Sequence, residues 1–205
     1  MKNMSDPTAS GKVGAIAPDL EEPMVMYHYR LARHIANKVR IHPNIITLGR
    51  LALMIWLTWS FYKGRHVIWA ALALQVCFFL DHLDGEMART HNMVTPFGDY
   101  LDHTLDLVYG WPLAYVIGLK LRRKRSFWPV MGLVGTVTLL SGFVIACQEI
   151  ILAKHDPDKA SQSLAISHKM CPTWVRNNLH VLRYSGVGML HVVVGMTMIY
   201  TKYYA

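Results

Sequence analysis

Apolar residues occur in five long runs along the chain, separated by short polar or basic segments. A helix needs roughly 20 apolar residues to cross a bilayer, and each run approaches or exceeds that length. We therefore predict an all-α fold, a polytopic transmembrane helical bundle of five spans, or of six if part of 160–178 also enters the membrane. The predicted spans cover residues 44–62, 66–83, 98–119, 127–152 and 179–200.

The polar residues before the first run divide into two segments. Residues 1–22 show little periodicity and are predicted as a flexible tail. Residues 23–41 place Tyr27 and Leu31 at helical spacing, with Arg30 and Arg33 among the basic positions, which predicts an N-terminal amphipathic helix on the membrane surface. A soluble connector helix is the alternative. Residues 42–205 are then the transmembrane domain.

Composition supports a membrane protein and narrows its partners. Hydrophobic residues make up 53% of the chain and charged residues 17%, against about 25% in a typical soluble protein. The net charge of +8 favours membrane lipids with anionic head groups, or anionic substrates. Nucleic acid is excluded as a partner, because the basic residues are scattered among apolar runs. Cys77, Cys147 and Cys171 have no metal-binding spacing and are interpreted as small core residues.

Charged residues at the ends of the apolar runs need a physical reason, since charge beside lipid is costly. Arg50, near the start of the first run, must either extend to the interface or meet an anion.

Four aspartates flank the junction of the second and third runs. Asp81 and Asp84 are three residues apart, and Asp102 and Asp106 are four apart. Residues at these spacings share a helix face, so two antiparallel helices can direct all four carboxylates at one small volume. Such oxygen ligands suit Mg²⁺ or Mn²⁺, and two ions can clamp a displacement at phosphorus. There are two alternative interpretations of these aspartates. They could be helix caps and surface charges, or they could bind ions in a divalent-cation carrier.

The aspartate stretch has the pattern DxxDGxxARx8Gx3Dx3D, formed by Asp81, Asp84, Gly85, Ala88, Arg89, Gly98, Asp102 and Asp106. This pattern resembles the signature of the CDP-alcohol phosphotransferase (CDP-alcohol phosphatidyltransferase) family. The segment Pro43–Arg50 is similar to the PNxxTxxR opening of that family's first span.

The resemblance implies a membrane enzyme of phospholipid synthesis, with 42–205 as its catalytic domain. Such an enzyme displaces CMP from a CDP-linked donor, CDP-diacylglycerol being favoured, with the hydroxyl of a small polar alcohol or alcohol phosphate. The product is a phosphodiester. The alternative is transfer from CDP-choline or CDP-ethanolamine to diacylglycerol.

The resemblance also implies roles for single residues. The metal ligands would be Asp81, Asp84, Asp102 and Asp106, holding two ions of Mg²⁺ or Mn²⁺. Asp106 would in addition be the catalytic general base. The CDP-binding residues would be Asn44, Thr47, Gly85, Ala88, Arg89 and Gly98.

Three further expectations concern the acceptor, the oligomer and the orientation. Lys169, Arg176 and Arg183 could hold an acceptor phosphate, with interface anchoring as the equal alternative. Glycine rows at 132, 135, 142 and at 186, 188, 195 predict a homodimer seam or close packing within a monomer. Substrate chemistry favours a site facing the cytoplasm, although the short basic loop at 120–125 lies on the opposite side.

Overall fold

The described residues are predominantly helical. The computed structural model describes residues 17–155 and 169–204, which contain helices and no strand, so the all-α prediction is confirmed. The helices are α1 (Pro23–Ala36), α2 (Pro43–Tyr62), α3 (Val67–Thr90), α4 (Pro96–Leu121), α5 (Phe127–His155), α6 (Thr173–Asn177), α7 (Leu179–Leu182) and α8 (Val187–Tyr203).

Helix starts and ends follow local signals. Proline occupies the first position of α1, α2 and α4, where no backbone N–H is needed. The Thr95 hydroxyl accepts a hydrogen bond from Gly98 N at 3.1 Å and caps α4. Helix α3 continues to Thr90, past the predicted end at 83, so the whole first half of the aspartate motif lies on one helix.

Four helical segments of the described chain are long and apolar enough to cross a membrane, and the protein is an integral membrane protein. They cover Pro43–Tyr62, Val67–Thr90, Phe127–His155 and Leu179–Tyr203. Helix α4, the third predicted span, has 26 residues but is not among them. The segment Leu179–Tyr203 is interrupted by a 3₁₀ turn at Arg183–Ser185. The number of spans therefore stays a prediction.

Helix α3 is central, packing against α1, α2 and α8. Its alanines Ala70, Ala71 and Ala73 are buried, and such small side chains let neighbouring helices approach closely. The main core lies between α2, α3, α4 and α8 and contains Leu57, Phe61, Leu74, Leu113, Ile117 and Met198.

Helix α1 is present where an amphipathic helix was predicted. Ala32 and Ala36 are fully buried and pack with Met87 of α3, whereas Tyr27 and Leu31 are exposed. Its attachment to the membrane surface stays a prediction.

The last six residues of the predicted flexible tail, 17–22, contact the helical bundle, and 1–16 lie outside the described residues, so flexibility of the tail stays a prediction. Glu21 and Glu22 are buried, and Leu20 packs against the cluster around α5. Nε2 of Gln148, on α5, donates to Leu20 O at 2.7 Å. The segment 17–22 is therefore part of the folded bundle, held by partners more than a hundred residues away in sequence.

The interpretation of the cysteines as small core residues needs one correction. Cys77 is a buried free thiol, as expected. Cys147 and Cys171 instead form a disulfide across 24 residues. Folding brings them together because Val175 and Leu179 pack back against Val144 of α5, and a separation of 24 gives no spacing signal.

The glycine rows separate into two environments. A Cβ at Gly195 would meet Gln75 Nε2 at 3.4 Å, and one at Gly188 would meet Met24 Sδ at 3.1 Å, so the α8 row packs within the monomer. A Cβ at Gly132, Gly135 or Gly142 of α5 would meet nothing within 4 Å. A homodimer through α5 stays a prediction.

Candidate active site

The start of α2, the end of α3 and the start of α4 enclose a cavity of about 460 Å³. The hairpin between α3 and α4 brings both halves of the aspartate stretch to its wall. The lining includes all four predicted metal ligands, Asp81, Asp84, Asp102 and Asp106. It also includes all six predicted CDP-binding residues, Asn44, Thr47, Gly85, Ala88, Arg89 and Gly98.

Three of the aspartates converge on Arg50 of α2. The guanidinium is 3% exposed and forms an ion pair with Asp81. Its Nη2 donates to Asp102 Oδ1 at 2.7 Å, and Nη1 lies 3.4 Å from Asp106 Oδ1. One buried cation therefore joins carboxylates from α3 and α4, which answers the question of how α2 accommodates an arginine in an apolar run.

Asp84 is the most deeply buried of the four and has a different partner. It is 4% exposed and accepts a hydrogen bond from Thr47 Oγ1 at 2.7 Å. The Thr47 hydroxyl also lies 3.2 Å from Pro43 O, so the first turn of α2 orients this carboxylate.

The donor set fits a divalent ion, although no ready-made metal cage is present. Among residues 17–155 and 169–204, no three His, Cys, Asp or Glu side chains already surround one point. The positive charge of Arg50 stands among three of the carboxylates instead. Four carboxylates on one cavity are the oxygen ligands that Mg²⁺ and Mn²⁺ accept. An ion held there would share these carboxylates with Arg50 or displace it.

A second arginine borders the same cavity. Arg89 donates from Nε and Nη2 to Glu86 Oε1 at 3.1 and 2.9 Å. Glu86 is 2% exposed and also accepts from Arg33 Nε at 3.2 Å. A Cβ at Gly85 would lie 3.1 Å from Arg89 Nη2, so the glycine lets the guanidinium lie against the helix. Arg89 is thus fixed at the edge of the cavity, where it can meet a phosphate.

Sequence reasoning expected Arg50 to reach the interface or to meet an anion, but it did not identify the anion as the aspartates, and it gave no role to Glu86. Glu86 occupies a position that the motif leaves free, and its two arginine partners are visible only in the folded chain.

A second group of residues in the cavity lining is also acidic. We call it the glutamate wall; it consists of Glu21, Glu22, Gln148 and Glu149. Glu22 accepts hydrogen bonds from Gly188 N and Met189 N, both at 2.9 Å, and so caps α8. Burial raises the pKa of the Glu22 carboxyl above its ordinary value, and these two backbone hydrogen bonds act in the opposite direction.

The three residues suggested for an acceptor phosphate do not line this cavity. Arg183 donates to Glu21 O at 3.4 Å and to the Tyr184 hydroxyl at 3.2 Å. Lys169 and Arg176 are exposed.

The fold and the site define a helical membrane protein whose carboxylate-lined cavity opens at one end of the bundle. Residues 40–201 match the sequence model of the CDP-alcohol phosphatidyltransferase family, and the chain belongs to that family. Members of the family are generally dependent on divalent metal ions.

Relatives with named activities match about half of the chain. It is 30% identical over 104 residues to an archaetidylinositol phosphate synthase of Pyrococcus horikoshii, covering 51% of this chain and 52% of the relative. It is 31% identical over 109 residues to a CMP-forming cardiolipin synthase of Streptomyces coelicolor, covering 51% of this chain and 50% of the relative. It is 35% identical over 104 residues to a probable phosphatidylglycerophosphate synthase of Mycobacterium tuberculosis, covering 46% of this chain and 47% of the relative. The chain thus spans about half the length of these relatives. No solved structure matches it.

Proposed function

We propose that the protein is a membrane phosphatidyltransferase that releases CMP from a CDP-linked donor, with CDP-diacylglycerol as the favoured donor. The observation that carries the proposal is the presence of all four motif aspartates on one cavity, beside the arginine of the same motif. Three relatives are named as an archaetidylinositol phosphate synthase, a CMP-forming cardiolipin synthase and a probable phosphatidylglycerophosphate synthase, and these names support the same reaction class.

Asp106 is the general base in this proposal. Its side chain is 53% exposed, against 28% for Asp81 and 29% for Asp102, so it is the most accessible of the three to a substrate hydroxyl. It takes the proton of the attacking hydroxyl as that oxygen bonds to the phosphorus of the donor. The bond from that phosphorus to the CMP oxygen then breaks, and CMP leaves with the electron pair.

The remaining aspartates serve as metal ligands, with Asp106 able to join them. Asp81, Asp84 and Asp102 supply the oxygen donors, and Thr47 fixes the orientation of Asp84. We propose Mg²⁺ or Mn²⁺, and two ions. When the ions are bound, the charge on the attacking and leaving oxygens is stabilised by them.

The CDP group would be held between the start of α2, the end of α3 and the start of α4. Arg89 offers a guanidinium to the diphosphate, and Gly85 and Gly98 keep side chains away from it. Asn44 and Thr47, on the first turn of α2, border the same space. Positioning and charge stabilisation supply most of the catalysis expected for phosphoryl-type transfer.

The test is release of CMP by the purified protein in detergent or liposomes. CDP-diacylglycerol is supplied with a panel of alcohols, with Mg²⁺ or Mn²⁺ and, separately, with a chelator. We expect metal-dependent CMP release that Asp106→Asn abolishes, since an amide cannot accept the proton, while metal binding largely survives. Asp19→Asn, which removes an exposed carboxylate outside the cavity, is the matched control and should retain activity.

Two results would count against the proposal. If no CDP-linked donor yields CMP in a folded preparation, the reaction class is wrong. If Asp106→Asn turns over like the parent, the reaction class can stand but the assignment of the base is wrong.

A further inference from the structure

The end of the bundle opposite the cavity carries three lysines at helix ends. Helices α2, α4 and α8 all begin beside the cavity, so their C-terminal ends lie at the opposite end. Lys63 directly follows α2, and Lys120 and Lys202 lie in the last turns of α4 and α8. We call these three residues the lysine cluster. The helix dipole favours a cation at each position, but it gives no reason for the three to stand together.

The lysine cluster has no counter-charge in the described part of the chain. A Cβ at Gly64 would lie 3.8 Å from Lys202 Nζ and 3.9 Å from Lys120 Nζ, so two ammonium groups border one small space. Among residues 17–155 and 169–204, no ion pair includes a lysine of the cluster. The aspartates and glutamates of those ranges line the cavity or lie within two residues of its lining. Because like charges held this close repel one another, the cluster favours a bound anion.

An apolar groove runs along the outside of the bundle toward the lysine cluster. It lies between α2 and α4, has a volume of about 490 Å³ and extends from Leu51 and Val108 to Tyr62 and Val116. Leu51 and Tyr62 are eleven residues apart, which is about 16 Å along a helix axis. Ile55, in the middle of the lining, is 60% exposed, so the groove opens to the surroundings of the bundle, where lipid chains lie.

Lys63 connects the groove with the cluster. Its Nζ lies 4.6 Å from the centre of the Trp59 ring and 5.6 Å from that of Tyr62, and both rings belong to the groove lining. Tyr203, in the last turn of α8, is exposed at the same end. Exposed Trp and Tyr side chains are typical of the membrane interface, at the level of lipid head groups. The cluster is thus placed at head-group level, with the groove beside the acyl chains.

We propose that the lysine cluster and the groove together bind one anionic phospholipid of the leaflet opposite the cavity. The lipid phosphate lies among the three ammonium groups, which act as point charges, and one acyl chain lies in the groove. A zwitterionic lipid is disfavoured, because its own cation would stand beside the lysines. This site is separate from the aspartate cavity and does not depend on the reaction proposed above.

The test is a lipid titration of the purified full chain in neutral detergent, followed by native mass spectrometry. Dioleoyl phosphatidylglycerol is compared with dioleoyl phosphatidylcholine, which has the same chains. We expect the first bound lipid to be held about 10-fold more tightly when it is phosphatidylglycerol. The double variant Lys120→Gln, Lys202→Gln should lose most of this preference. Lys124→Gln removes an exposed charge from the same basic loop and should keep it.

The groove is tested separately from the charge. Ile55→Trp fills the groove from its open side and should weaken phosphatidylglycerol binding about 10-fold, because the acyl chain loses its apolar contacts. Ile68→Trp, at an exposed position of α3 outside the lining, is the matched control and should bind like the parent. Glycerol 3-phosphate, which carries the phosphate without chains, should not displace the lipid.

Several results would overturn the inference. Equal affinities for the two lipids would do so, as would a preference that survives the double lysine variant. If Lys124→Gln reduces the preference as much as the double variant, the attraction belongs to the basic surface as a whole. If Ile55→Trp binds phosphatidylglycerol like the parent, or glycerol 3-phosphate displaces it, no acyl chain occupies the groove. If CDP-diacylglycerol competes for the groove whether or not the lysines are present, the groove belongs to that lipid. None of these measurements uses CMP release, so the proposed function stands or falls separately.

Discussion

Arg50 is the positive charge on which three site carboxylates converge, so its removal should be costly. Taking one partner from a buried ion pair costs about 3–5 kcal/mol, because the remaining charge stays buried without a counter-charge. The side chains of Asp81 and Asp102 are 28% and 29% exposed and that of Asp106 is 53% exposed, so water offsets part of the loss. We therefore expect Arg50→Met to destabilise the metal-free protein by about 3 kcal/mol.

The assay is thermal unfolding of the detergent-solubilised protein, first with a chelator and then with Mg²⁺. For a chain of this size, about 3 kcal/mol corresponds to a Tm lower by about 6–12 °C. A divalent ion among the carboxylates replaces the missing charge, so Mg²⁺ should raise the Tm of Arg50→Met more than that of the parent. Arg65→Met, at an exposed position between α2 and α3 and away from the aspartates, is the matched control and should leave the Tm unchanged.

Either of two results would refute this reasoning. A parental Tm for Arg50→Met without metal would mean that the guanidinium is not the counter-charge of the site. An equal Mg²⁺-induced rise in both proteins would mean that the ion and Arg50 do not use the same carboxylates.

Two further predictions concern other contacts. Thr47→Val removes the hydroxyl that donates a hydrogen bond to Asp84. Because a hydrogen bond to a charged group contributes about 1.5–3 kcal/mol, the Mg²⁺ affinity measured by titration should fall about 10-fold or more. Thr47→Ser keeps a hydroxyl and should restore the affinity. Equal affinities in Thr47→Val and the parent would contradict this. Cys147→Ser removes a disulfide that spans 24 residues, and the free energy of unfolding measured with denaturant should fall by about 3 kcal/mol. Once the parent disulfide is reduced, parent and variant should be equally stable. Equal stability of the oxidised parent and the variant would refute the prediction.

The aspartate side of the cavity was predictable because its signals are local. Spacings of three and four put each aspartate pair on one helix face, and the turn between α3 and α4 is signalled by Thr95-Pro96. Once these two helices are antiparallel, all four carboxylates can line one cavity without knowledge of any distant residue. Extension of α3 to Thr90 was missed, since its last turn carries polar residues that resemble a loop.

The glutamate side was not predictable, because its contacts join residues far apart in sequence. Glu22 is 166 residues from Gly188, and Gln148 is 128 residues from Leu20. Neither pair has a periodic or motif signal, and Glu22 stands in a segment whose composition is typical of a tail. Burial of its carboxylate is favourable only because folding places the start of α8 beside it, where two N–H groups satisfy it.

The disulfide links the fold to the compartment that the cavity faces. Cys147 immediately precedes Gln148, so the bond to Cys171 lies at the cavity end of the bundle. Outside hyperthermophiles, stable disulfides are rare in the cytosol. The basic loop at 120–125 follows α4 at the opposite end, and short basic loops favour the cytoplasmic side. Both features favour the non-cytoplasmic side for the cavity, against the orientation predicted from substrate chemistry. The thiol state of Cys147 and Cys171 in native membranes therefore distinguishes the two orientations: a persistent disulfide favours the first, and two free thiols favour the second.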